Sequence, residues 1–460
     1  MPHGNALLYC AVNGIANNTN GIGRQTKTFL ATLAHHHPRL TQAAGPFTPY
    51  LAVPEPGPAT WGYNPADLAH ARQVVEGLGG RVIALPYDTH RPMWRPAAWQ
   101  ALSEQAATAA RGLARTHERV LAIGVDTPFA GLAHSVQPGE RIDVLLALFS
   151  TAQITERPQP DPDRLAWEQD ALSAASRNTH IWVAGIGTYL TRHLQQGYGL
   201  DPGRLLPWPS GLHLASADLT APTAFYAEQT VRSFGIPTDR PVIAAVGRTD
   251  HTKGLDLLID AVEPLRDHVH LAMIVVPTDD DRAALLTRYQ ARAAELQLSA
   301  TLIGRYSRTL PRALAALPAT RVMAVPSRGE TLANIVFETG LWAQHHGAIV
   351  LAPDRDGFPE QITDGHNGLL YAPDTPGALT SGLRRALTLP DQQRGQMREN
   401  AHRRVHAERD AATHLATLLT SAWRPAGQKL DKLVGHPLPD ARTPRSQAPT
   451  STPAPRETAS

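Results

Sequence analysis

Two carboxylates eight positions apart, Glu330 and Glu338, lie in RVMAVPSRGETLANIVFETG (321–340), where an apolar run meets a helical pattern. RVMAVPS reads as a short buried strand, and the residues after Glu330 read as a helix. That puts Glu330 in the strand-to-helix loop and Glu338 roughly 12 Å further along the helix. A ligand touching both acids must be long, as a nucleoside diphosphate sugar is. Between them, the amides of Thr331, Leu332, Ala333 and Asn334 are expected in a first helical turn, where unpaired N–H groups attract phosphate. A plainer role is also open, with Glu330 complementing the helix dipole and Glu338 solvated on the helix surface.

A second cluster supplies positive charge. The run PVIAAVG ends in Gly247-Arg248, and a helix pattern (Leu255, Leu258, Ile259, Val262) begins after Lys253-Gly254. Arg248 and Lys253 thus bracket one loop at the carboxyl end of one strand, both directed to the same place. The chain uses lysine only at positions 27, 253, 429 and 432, so Lys253 stands out from an arginine-rich background. Near the N-terminus, ALLYCAV (6–12) reads as a strand followed by a Gly/Asn-rich loop. There Gly21 and Gly23, with Arg24 and Lys27 nearby, fit a phosphate-approaching turn or an ordinary one. Asp126 follows the apolar run VLAIGV, and Ser150 follows DVLLALF; both belong to loops that face a ligand cleft in a parallel sheet, although Asp126 also fits a turn before Thr127-Pro128.

These residues need a scaffold, and the chain alternates strand and helix patterns to provide it. The runs ALLYCAV, RVIALPYD, RVLAIGVD, RIDVLLALFS and HIWVAGIG form one series. PVIAAV, HLAMIVVP, ATLIGR, RVMAVPS and AIVLAPD form another, so the expected fold is α/β with two parallel sheets wrapped by helices. The boundaries are a first domain at 1–209, a second at 210–400, a helix at 401–423 packing back towards the first domain, and a disordered tail at 435–460. LLPWPSGLHL is read as the connection between domains. The Pro-rich stretch 46–100 fits no pattern beyond its one strand.

A chain of 460 residues suits two cores, and 42% hydrophobic with 18% charged residues is ordinary for a globular protein. A formal charge of +2 gives no reason to invoke nucleic acid or a membrane surface. No apolar run approaches a bilayer span, and the single cysteine, Cys10, sits in an apolar strand, which together suggest a cytoplasmic, soluble protein. His35, His36 and His37 read as a solvated helix end closed by Pro38.

The motifs in order resemble the retaining glycosyltransferases of family 4, which have the two-domain GT-B fold. VGRTDHTKGLDLLIDAV, PSRGETLANIVFE with its two glutamates separated by seven residues, and DGFPEQITDGHNGLLYAP carry the resemblance in the second half; NGIGR and WVAGIGTYLTRHLQQGYGLDPGRLLPWPSGL carry it in the first. It implies two Rossmann-like domains facing each other across a cleft. A nucleotide sugar, UDP-linked, would bind mainly to the second domain and a small soluble acceptor, such as an aminocyclitol, mainly to the first. By motif position Arg248 and Lys253 would hold the diphosphate, Glu330 the hexose, Glu338 the ribose, and Leu332, Ala333 and Asn334 would offer amides. Neither a metal nor another cofactor is required, because the two cations supply the charge. The loop LALFSTAQITER departs from the family in lacking a histidine, which leaves Asp126 or Ser150 for acceptor contact. A nucleotide-sugar-binding protein without catalysis and an epimerase of the same fold are the alternatives.

Overall fold

A computed structural model describes residues 4–17, 21–57, 62–86, 93–277 and 280–423; the proposed tail at 435–460 lies outside them. Among the described residues thirteen strands, numbered in chain order, form two sheets. The first contains β1 (Asn5–Cys10), β2 (Phe47–Pro54), β3 (Val82–Leu85), β4 (Val120–Val125), β5 (Ile142–Ala147), β6 (Ile181–Gly185) and β7 (Leu205–Pro207), in spatial order 3-2-1-4-5-6-7. The second contains β8 (Val242–Arg248), β9 (His270–Val276), β10 (Ala300–Ile303), β11 (Thr320–Ala324), β12 (Ile349–Pro353) and β13 (Leu369–Tyr371), in order 10-9-8-11-12-13. Every pairing between these strands is parallel.

Parallel strands are covered on both faces, which explains why the β8 and β9 runs are apolar throughout instead of alternating. In the second sheet Ile243, Ala245, Leu271 and Met273 pack under Leu255, Leu258, Ile259 and Val262 of the helix Leu255–Val262. Ala244, Ala272 and Ile274 point the other way, towards Leu314, Phe337, Leu341 and Trp342. Cys10 is buried and free in β1. In each sheet the strand order reverses once, between β1 and β4 and between β8 and β11. Such reversal points open a crevice at the carboxyl ends of the strands.

Three expectations change. The Pro-rich stretch contains β2 and the helix Pro65–Gly77, besides β3. Pro49 and Pro54 lie inside β2 although proline is disfavoured in inner strands; neighbours on both sides, with Pro49 opposite Leu7 and Pro54 opposite Leu85, hold the segment extended. The supposed connection LLPWPSGLHL contributes β7, a three-residue edge strand. Pro38 does not close its helix, which runs from Gly21 to Ala44 with the proline inside. His35 and His36 are not merely solvated, because their rings lie 4.7 and 5.4 Å from the ring of buried His213. That long helix also packs along the helix Ala411–Ala422, where Thr420 Oγ1 donates to the Ala43 carbonyl and Arg39 to Thr413 Oγ1. The chain passes from the first sheet to the second near Leu212 and returns near Asp410, and these two crossings pair with each other.

Candidate active site

The two reversal points face one another across a cavity of about 950 Å³. From the second sheet, the end of β8 brings Arg248 and the loop after it brings Asp250 and Lys253, and the residues after β11 bring Ser327, Gly329, Glu330, Thr331, Leu332, Ala333 and Asn334. Gly254 allows the first of these loops to lie against the second. Its φ is +60°, and a Cβ there would come 2.1 Å from the Pro326 carbonyl oxygen, so only glycine fits. Asp250 caps the turn His251–Lys253 by accepting from the Thr252 amide at 3.0 Å. Its other oxygen lies 3.3 Å from Arg248. Lys253 Nζ donates to Glu330 Oε2. Both cations therefore reach the cavity already held by a carboxylate, as charged groups in a partly desolvated wall must be.

Asp126 and Ser150 line the first-domain side, with Asn13, Asn17, Glu55, Trp94, Trp99, Glu156, Asp161 and Arg164. Arg164 connects this wall to the interior. It donates to Glu168 Oε1 at 2.8 Å, Glu156 Oε1 at 2.7 Å, Thr155 Oγ1 at 3.2 Å and Ser150 Oγ at 3.1 Å. Glu168 is fully buried and also accepts from the Ala152 amide at 3.0 Å and the Tyr198 hydroxyl at 2.7 Å. Asp126 is 4% exposed, with φ 63° and ψ −176°. Burial pushes its carboxyl above the usual carboxylate range, against the opposing pull of Arg164 and of Arg248.

The two sides touch around the cavity. Thr331 Oγ1 donates to the Phe149 carbonyl at 2.5 Å, Arg157 pairs with Asp356 at 2.7 Å, and Gln25 donates to Asn334 Oδ1 at 2.9 Å. Gly329 makes the approach possible: a Cβ there would lie 2.4 Å from the Ile154 carbonyl oxygen of the first domain. Among the described residues no group of three or more His, Cys, Asp or Glu side chains is placed to hold a metal ion, and no helix is long and apolar enough to cross a membrane.

Residues 227–404 match the family model "Glycosyl transferases group 1". Among solved structures, a sucrose-phosphate synthase from Thermosynechococcus elongatus superposes with a TM-score of 0.67 at 18% identity, covering 89% of this chain and 96% of that one. HepE from Anabaena, in complex with UDP and glucose, superposes with a TM-score of 0.67 at 14% identity, covering 90% and 98%. The architecture is GT-B. Among curated proteins, this GT-B chain is 28% identical over 293 residues to the D-inositol 3-phosphate glycosyltransferase of Gordonia bronchialis, covering 62% of this chain and 60% of that protein. It is 30% identical over 235 residues to the protein of the same name from Corynebacterium glutamicum, covering 50% and 54%. The chain thus spans about three-fifths or less of the length of these relatives.

Within the GT-B frame, Arg248, Lys253, Glu330, Leu332, Ala333, Asn334, Gly21, Asp126 and Ser150 all meet at the cavity, whereas Gly23 and Glu338 do not line it. Glu338 departs from the spacing argument because the helix starts at Asn334, three residues later than expected. From there Asn334 and Glu338, four apart, share one helix face, and that face lies along the helix Gly21–Ala44. Asn334 meets Gln25, and Glu338 lies 3.2 Å from Arg24 Nε, while Nη1 of the same arginine pairs with Asp218 at 2.6 Å. The late start also moves the amides. Thr331 to Ala333 stand outside the helix, and the Ala333 amide is taken by Gln361 Oε1 at 3.0 Å. Asn334 and Ile335 occupy the first turn, where no carbonyl of the helix can reach their amides. Gly21 and Gly23 open a helix instead of forming a loop, and Lys27 is bound to Asp67 at 2.8 Å. Sequence reasoning missed Asp250, Arg164 and the two tryptophans. Of these, only Asp250 carried a local signal, as a capping residue two positions after Arg248.

Proposed function

We propose that this protein is a glycosyltransferase that moves a hexosyl or N-acetylhexosaminyl group from a UDP-linked sugar to a small polyhydroxylated acceptor, with retention of configuration and without a metal ion. The observation that carries this reading is the convergence of Arg248, Lys253 and the first turn of the Asn334–Trp342 helix on one interdomain cavity that also holds Glu330. Two cations and free amides suit a diphosphate; a carboxylate beside them suits sugar hydroxyls. The HepE complex with UDP and glucose supports the donor class, and the relatives named for D-inositol 3-phosphate support a polyol acceptor without bearing on its phosphate.

In the transfer step the bond from the anomeric carbon to the diphosphate oxygen breaks, and its electron pair stays on the diphosphate. The acceptor hydroxyl oxygen bonds to the same carbon on the same face, and its proton passes to the departing phosphate. Negative charge grows on the diphosphate throughout, and Arg248 and Lys253 are fixed where that growth is stabilised. Glu330 orients the hexose once the ligand has drawn Lys253 towards phosphate.

The first-domain wall bears on the acceptor. Its described charged residues are Glu55, Asp126, Glu156 and Asp161 against Arg164 alone, and that arginine already makes four hydrogen bonds to protein groups. Trp94 and Trp99, with ring centres 6.3 Å apart, add an apolar platform. Such a wall suits a neutral or amino-bearing polyol, including an aminocyclitol, better than a phosphorylated one.

A thermal-shift screen with UDP, GDP, ADP and their hexoses, followed by product analysis of the stabilising donor with a polyol panel in EDTA, tests the proposal. UDP and a UDP-sugar should raise the melting temperature by mass action, and transfer should survive EDTA. Stabilisation by none of the nucleotides would overturn it. Consumption of donor to an isomeric nucleotide sugar without acceptor would favour an epimerase instead.

A further inference from the structure

Asp126 has a conformation that folding alone does not reward. With φ 63° and ψ −176°, it occupies a backbone region that is essentially restricted to glycine and is strained for other residues. The residues after it are clamped to impose that geometry. Trp167 Nε1 donates to the Thr127 carbonyl at 2.9 Å, Ser103 Oγ to the Pro128 carbonyl at 3.2 Å, and Thr127 Oγ1 to buried Glu168 at 3.3 Å. The outcome is a carboxylate, 96% removed from solvent, delivered to the cavity wall at the reversal point of the first sheet. Its Oδ1 is buried and has no hydrogen-bond partner. A buried, unpaired carboxylate oxygen in the free protein is costly, and strain spent to place it is a sign of use.

Resting on the transferase reading, we infer that Asp126 receives the acceptor: its Oδ1 accepts a hydrogen bond from the acceptor's hydroxyl or amino group next to the attacking hydroxyl, and so turns the attacking oxygen towards the anomeric carbon with its own proton left free for the departing phosphate. Arg164, of its own wall, and Arg248, the diphosphate cation of the second domain, act on the carboxylate together with the Thr127 and Phe149 amides, and Asp126 lines the same cavity as Arg248. Ser150, the other acceptor-side candidate, is less suited, since its Oγ already accepts from Arg164 at 3.1 Å. The attacking hydroxyl's proton leaves on the departing phosphate as described above, so Asp126 orients the acceptor without being consumed.

The test compares Asp126→Ala and Asp126→Gly with wild type. Three readouts are needed: melting temperature, the melting-temperature rise caused by UDP, and transfer from the wild type's best UDP-sugar to myo-inositol, glucose and glucosamine. Both variants should lose about 10- to 100-fold in kcat/KM for the acceptor, as expected for a charge-assisted hydrogen bond, while UDP still stabilises them. Glycine, freed of the strain, should melt a few degrees above alanine. If the variants transfer within about threefold of wild type, or alanine melts at or above glycine, the inference is overturned and the transferase reading stands. If wild type binds no nucleotide and transfers to none of the three, both fall together.

Discussion

Replacing Lys253 with alanine probes the centre of the proposed chemistry. A unit charge about 4 Å from a phosphate oxygen is worth about 4 kcal/mol at an effective dielectric constant of 20. Lys253 does not present its full charge, because Glu330 holds it in the free protein, and the two side chains are 25% and 16% exposed. Discounting for that partner and for solvent leaves about 2 to 3 kcal/mol of transition-state stabilisation, or about 30- to 150-fold in kcat. The pair itself contributes about 1 kcal/mol or less to folding, so the variant should be soluble and folded. Glu330→Gln separates the two roles by sign: freeing Lys253 should tighten UDP binding, while losing the sugar contact should slow transfer. Steady-state rates of UDP release, with UDP affinity from calorimetry, read both effects. A Lys253→Ala enzyme within threefold of wild type in kcat, or a Glu330→Gln enzyme with weaker UDP binding, would refute this account of the two cations.

Three further outcomes follow from the packing. Arg24→Ala should lower stability in urea by about 1–3 kcal/mol, because it leaves Glu338, with 14% of its side chain exposed, beside Asp218 without their common cation. Glu168→Ala should cost about 3–5 kcal/mol by stranding buried Arg164 together with an amide and a hydroxyl, and denaturation with intrinsic fluorescence would measure it. His270, 4% exposed between Ser299 and Thr301, has its pKa pushed down to about 4 by burial, aided by Arg240. Its neutral form is favoured in the folded state, so its contribution is complete above pH 6.5 and is lost as pH falls from 6.5 through 4. About 2 kcal/mol of acid destabilisation in that window should be present in wild type and reduced in His270→Asn.

The second sheet was legible because parallel strands buried on both faces are continuous apolar runs, and Arg248, Lys253 and Glu330 sit at their ends where loops must face the crevice. Legibility failed where tertiary contacts overrule local preference. β2 carries two prolines yet is held between neighbours; Pro38 stays helical while its helix packs along Ala411–Ala422. A one-turn delay in starting the helix at Asn334 was enough to take Glu338 off the cavity wall and hand it to Arg24. The strain at Asp126 had no trace in VLAIGVDTP, because it is imposed by Trp167, Ser103 and Glu168 from distant segments.

The paired crossings at Leu212 and Asp410 have a consequence for how the protein is made. The helix Gly21–Ala44 leaves the ribosome long before the helix Ala411–Ala422 that covers it. At roughly 5–20 residues per second, the intervening stretch takes about 20 to 70 s to synthesise. Throughout that interval the face that will receive Leu415, Leu418 and Leu419 stays uncovered. The first domain is therefore finished only after the second, and a chain cut short before residue 411 would leave the nascent protein with an exposed apolar seam for chaperones to find.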